Sequence, residues 1–154
     1  SDALHDETEL WNGTSWTEVN DLNAAGVLIG IGTSTAALAV GGGRPGVSAL
    51  NELWNGTSWT EVGNINTARK GHAGNGTTTA AIIFNAYAPT TVVVEEYDGV
   101  TWTEVADMST QRGFLGAGTA APTELSIGFT GGDPTRSNAT EEWTKAQNVE
   151  IITD

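Results

Sequence analysis

The residues with chemical potential are few, and most of them recur at a fixed spacing. Six Trp (Trp11, Trp16, Trp54, Trp59, Trp102, Trp143) occupy equivalent places along the chain. They could serve as stacking platforms for sugars, but a ligand site rarely needs every copy, so packing between repeats explains them better. Trp11 and Trp16 are the exceptions expected. The acid pairs Glu95-Glu96 and Glu141-Glu142 read as a solvated rim, because consecutive strand residues face opposite sides and cannot form a catalytic dyad. His5 and His72 are the only histidines and there is no Cys. That removes a thiol nucleophile and leaves a transition-metal site incomplete. A Ca²⁺ site from Asp21, Asp107 and Asp133 is conceivable on ligand type alone. The expectation is no catalytic residue, no metal and no cofactor.

Charge narrows the partners. The 154 residues carry 19 acids against six bases, a formal charge of −13. Such a chain is repelled by nucleic acid and by anionic lipid, since affinity for phosphate rests on Lys and Arg. No apolar run approaches the about 18 residues of a membrane span, and the first residues form no basic-then-apolar leader. The expected setting is extracellular or virion-associated.

The elements that position these residues are repeats. Trp11-Asn-Gly-Thr-Ser-Trp16-Thr-Glu-Val19 returns verbatim at Trp54 to Val62, 43 residues later. It returns again as Tyr97-Asp-Gly-Val-Thr-Trp102-Thr-Glu-Val105, and in part at Glu141-Glu-Trp143-Thr144. A second marker, Gly-x-Gly-Thr at Gly30, Gly74 and Gly116, runs in parallel. It lacks the Gly-Lys-Ser/Thr ending of a phosphate loop, so it reads as turn geometry. Short runs of Val, Ile, Thr, Trp and Ala between Gly, Asn, Asp and Pro predict strands throughout. In the middle repeat these are about Gly71 to Gly76, Ala80 to Asn85, Val92 to Tyr97 and Thr101 to Val105. First strands are expected at 24–30, 71–76 and 113–118, rich in Gly and Ala, with the aromatics on third and fourth strands. Small residues at an axis and large ones at a rim suit a radial array. The sequons at Asn12, Asn55, Asn75 and Asn138 are explained by turn chemistry, with the first three expected in tight turns.

The order of double glycine (Gly41-Gly42-Gly43; Gly131-Gly132), Glu-x-aromatic, Trp-Thr-Glu-Val, then Arg69 or Arg112 resembles the kelch repeat of β-propellers. The Asn-Gly-Thr-Ser-Trp-Thr-Glu-Val form is similar to tandem repeats of marine phage and bacterial proteins. The resemblance spans residues 8 to about 145. It implies an all-β fold, a β-propeller of four-stranded antiparallel blades, and leaves function open, since kelch propellers include enzymes, adaptors and lectin-like binders. Two positions depart: Asn85-Ala86 replaces the double glycine, and Gly26 stands where Arg is expected.

A hairpin at 8–19 and blades at about 24–62, 71–105 and 113–154 make three and a half blades within one unit of 1–154. Propellers typically need four to eight to close. A homo-oligomer is therefore expected, a dimer favoured, with the hairpin swapping onto a partner; the alternative is that these residues are a fragment of a longer propeller. The loops 42–50, 85–91 and 131–138 and the connectors 63–70 and 106–112 fall on one face of the disc. They carry five of the six bases, all but Lys145. Ligand binding is assigned to Arg44, Tyr87 and Arg136, and to Arg69 and Arg112, which could equally tie loops together. The expected function is a non-enzymatic binding or structural module engaging a glycan or protein surface. The alternative is a glycan-active hydrolase or lyase with its acid at Asp107 or Asp133.

Overall fold

The computed structural model describes residues 5–43, 46–118, 125–129, 131–132 and 140–144. Among them the regular structure is all strand, with no helix. The chain opens on a hairpin of β1 (Thr8–Trp11) and β2 (Trp16–Val19). A first four-stranded sheet follows: β3 (Ile29–Thr33), β4 (Ala36–Val40), β5 (Asn51–Trp54) and β6 (Trp59–Val62). The second has β7 (Ala73–Gly76), β8 (Ala81–Ala86), β9 (Thr91–Tyr97) and β10 (Trp102–Val105). A third sheet shows β11 (Gly116–Ala117), β12 (Leu125–Phe129) and β13 (Thr140–Thr144). All pairings are antiparallel between chain neighbours, so each sheet is a meander.

The repeated Trp motif builds the same hairpin three times. In each, the turn is held by a side-chain oxygen that mimics a backbone acceptor. Asn55 Oδ1 accepts from the Thr57 and Ser58 amides, both at 2.9 Å, and Asn12 and Asp98 do the same. Gly13, Gly56 and Gly99 follow with φ near +95°, the left-handed conformation such turns require. Register then sets the aromatics opposite one another. Trp11 pairs Trp16, Trp54 pairs Trp59 and Tyr97 pairs Trp102, with ring centroids 5.4, 5.3 and 4.9 Å apart.

The sheets pack face to face in chain order. Ile31, Leu38 and Val40 of the first sheet share a core with Ala81, Ile83, Tyr97 and Trp102 of the second. Ile82, Phe84 and Val94, on the opposite face of the second, pack against Leu115, Ala117 and Trp143. Because β8 is covered on both faces, it is apolar from Ala81 to Phe84 without alternation. The opening hairpin joins the first sheet through the Trp59 indole, which donates to Thr8 Oγ1 at 2.9 Å. Neighbouring sheets also touch along their first strands, β3 beside β7 and β7 beside β11.

Three sequence expectations are corrected. The first strand of the first sheet begins at Ile29, not at residue 24. The Asn23 and Ala24 amides donate to the Glu52 carboxylate at 2.8 and 2.9 Å, which fixes that stretch as a connector. Asn75 lies on β7 and is buried, so its sequon is no turn. Glu95 is not a solvated rim residue: it is wholly buried, accepting from the Asn66 and Thr67 amides and from the Arg69 guanidinium. Glu141 repeats the arrangement with the Ser109 amide and Arg112.

Candidate functional site

Loops and connectors are laced together by backbone hydrogen bonds on the side of the sheets where long loops were expected. The Gly42 amide donates to Arg69 O at 2.7 Å, and the Arg69 amide to Ser48 O at 3.1 Å. The Tyr87 amide donates to Lys70 O at 3.0 Å, the Phe114 amide to Gly71 O at 2.8 Å and the Gly132 amide to Gly113 O at 3.0 Å. Segments far apart in sequence thus form one continuous surface.

A cleft of about 550 Å³ opens on this surface, lined by Val27, Leu28, Ile29, Gly43, Lys70, Gly71, His72, Tyr87, Phe114 and Leu115. Its size lies within the range of small-ligand sites, which are mostly apolar with few polar groups. The Tyr87 and Phe114 rings pack at 4.9 Å with planes 31° apart, and remain 40% and 64% exposed. Their closeness depends on glycine. A Cβ at Gly113 would come 2.7 Å from the Tyr87 Cβ, and one at Gly71 would come 2.8 Å from it.

Phe114 is unusual in its backbone. It lies at φ 53°, in the left-handed region that costs an L side chain roughly 1–2 kcal/mol. Gly71, one repeat earlier, has φ 66° and takes that conformation freely. The second sheet has glycine at this place, and the third instead presents an exposed aromatic ring. Strain of this kind collects where a side chain is needed for its position.

The polar groups of the cleft are Lys70, the Tyr87 hydroxyl and the His72 imidazole. Burial, followed by the charge of Arg69, pushes His72 down to about 3, with the nearby Val40 backbone opposing the shift. The ring is therefore neutral at pH 7. No carboxylate is among the described residues of the lining.

Of the residues assigned from sequence, Tyr87 is in the cleft. Arg69 and Arg112 are turned inward, 0% and 1% exposed, with their guanidiniums on Glu95 and Glu141. Neither forms part of an open surface, which is the loop-tying role weighed for them. Arg44 and Arg136 lie outside the described residues, as do Asp133, Asn138 and Lys145. Phe114 was missed; the available signal was a Phe where the preceding repeat has Gly71. Among the described residues no three His, Asp or Glu side chains gather to hold a metal. In the two four-stranded sheets Trp54 and Trp102 pack as wedges at 2% and 5% exposure and Trp59 is half-buried, whereas Trp11 and Trp16 stand out at 49% and 62%. No family model matches the chain, and no curated protein matches it.

Proposed function

We propose that the sheets are blades of a β-propeller and that the protein is a non-catalytic binding module whose loop-face cleft takes a glycan. The propeller half is supported by face-to-face stacking in chain order and by first strands that lie side by side, as strands near an axis do. The kelch-like order of motifs supports it further.

The binding half rests on Phe114. A ring whose backbone is held in a left-handed conformation, exposed, and packed at a tilt against Tyr87 in the lining of a preformed cleft suits the apolar C–H face of a sugar ring. Lys70 adds a donor to the same lining. Acid–base hydrolysis would ask for a pair of carboxylates, and the described lining offers none.

A glycan array probed with the wild-type chain, Tyr87→Ala and Phe114→Gly tests the reading, with a parallel hydrolysis assay on every glycan bound. Binding lost by roughly tenfold or more in both variants is expected. Wild-type protein that binds no glycan, or turns over one that it binds, overturns it.

A further inference from the structure

Each sheet has two unlike faces. In the first and second sheets the face toward the preceding neighbour carries the aromatic pair and a buried glutamate, as Tyr97, Trp102 and Glu95 do in the second. The face toward the following neighbour is aliphatic, as Leu38 and Val40 are in the first. Where the first and second sheets meet, the aromatic pair of the second seats on the aliphatic face of the first.

At the two ends of the stack these same faces are open. Trp11 and Trp16 are 49% and 62% exposed, and Glu9 beside them is exposed at the position where Glu52 and Glu95 hold a connector. At the opposite end, β12 turns out Ile127 and Phe129, 41% and 38% exposed. By register with β13 they stand where Leu38 and Val40 stand in the first sheet, both 0% exposed there. Among the described residues the two faces do not meet.

We propose that the Ile127 and Phe129 face of one copy seats the Trp11 and Trp16 face of a second copy, repeating between chains the contact that joins the first and second sheets within one. Both halves of the interface are encoded in a single chain, and each half matches what the other buries elsewhere in the fold. The contact is heterologous, head to tail, so copies close into a ring when the rotation between them permits. Hydrophobic side chains of this size, exposed in pairs, are otherwise a liability for a folded surface. The inference rests on the stacking of the sheets and not on the glycan cleft.

Light scattering coupled to size-exclusion chromatography on the 1–154 chain reads the outcome. A mass that is a multiple of the protomer is expected, with Trp emission shifting to the blue as concentration rises. Trp11→Ser with Trp16→Ser disables the head, and Ile127→Ser with Phe129→Ser disables the tail. Each alone weakens association by roughly tenfold or more. Mixed one to one, the two variants recover a single good interface and form a heterodimer, which a symmetric patch-on-patch dimer does not do. Trp16→Ser alone, at the most exposed of these positions, guards against misfolding. Wild type that stays monomeric at high micromolar concentration, variants that associate like wild type, or a mixture that stays monomeric would each overturn the proposal.

Discussion

The Arg69 guanidinium and the Glu95 carboxylate form an ion pair with both side chains wholly buried. Glu95 also accepts from the Asn66 amide at 2.6 Å, the Asn66 side chain at 2.9 Å and the Thr67 amide at 3.1 Å. Glu52 makes the same three contacts to Asn23 and Ala24, yet among the described residues no arginine pairs with it, and Gly26 occupies the place that matches Arg69. The repeat therefore contains its own comparison. The connector amides suffice to seat a buried glutamate, and Arg69 adds a charge that must then be matched.

The two glutamates should differ in what their loss costs. Glu52→Ala leaves two backbone amides and one side-chain amide without their acceptor, about 1–3 kcal/mol. Glu95→Ala strands a buried guanidinium as well, and breaking a buried pair costs about 3–5 kcal/mol. Urea unfolding of both variants measures the gap. Equal losses would mean that the Arg69 charge is satisfied by its bonds to Thr67 O and Val93 O alone.

At Phe114 glycine should be more stable than alanine. Both substitutions remove the ring packed against Tyr87, but only Gly relieves the left-handed backbone at φ 53°. The expected difference is about 1 kcal/mol in favour of Phe114→Gly. Thermal melts of the two variants test it. An alanine variant as stable as the glycine one would show that this backbone relaxes once the ring is gone.

Gly113→Ala probes the same site from beneath. The new methyl would sit 2.7 Å from the Tyr87 Cβ and 2.8 Å from its Cα, backbone that cannot swing aside. Overpacking of this kind costs about 1–3 kcal/mol. Tyr87 should shift away from Phe114 and glycan binding should weaken, whereas Gly46→Ala, with nothing near its Cβ, should change neither.

How far the sequence carried these features follows the range of the interactions behind them. The Asn12, Asn55 and Asp98 turns and the aromatic pairs they align are local, made within six residues, and the motif displays them directly. The buried role of Glu95 was hidden, because its partners Asn66 and Thr67 come from a connector 28 and 29 residues away. For Arg69 and Arg112 ligand binding and loop-tying stayed even for the same reason: nothing local announces that a loop arginine turns inward to a strand glutamate. Tyr87 was placed on the loop face from its position in a long loop. Phe114 was passed over as one residue of a Gly-rich strand, since its significance lies in a left-handed φ and a contact 27 residues distant.

His72 should give the fold an acid-sensitive stability of definite sign. Burial, then the charge of Arg69, lowers its imidazole to about 3, against an ordinary value of 6.5. Above pH 6.5 the ring is neutral in the folded and the unfolded chain, and its contribution to stability is complete. As pH falls below 6.5 the unfolded chain takes up a proton that the folded form refuses until about pH 3. Stability is therefore lost on acidification, at a rate approaching about 1.4 kcal/mol per pH unit. The Glu141 carboxyl, raised by burial but held below its usual range by the Ser109 hydrogen bonds and the Arg112 charge, adds its own loss only at lower pH. The interval from pH 6.5 to 4.5 thus isolates the histidine. Denaturant unfolding of wild type and His72→Leu across that interval should show wild type losing stability and the variant holding it. Parallel curves would mean that His72 is protonated in the fold, and that the wall of the cleft carries a positive charge at mildly acidic pH.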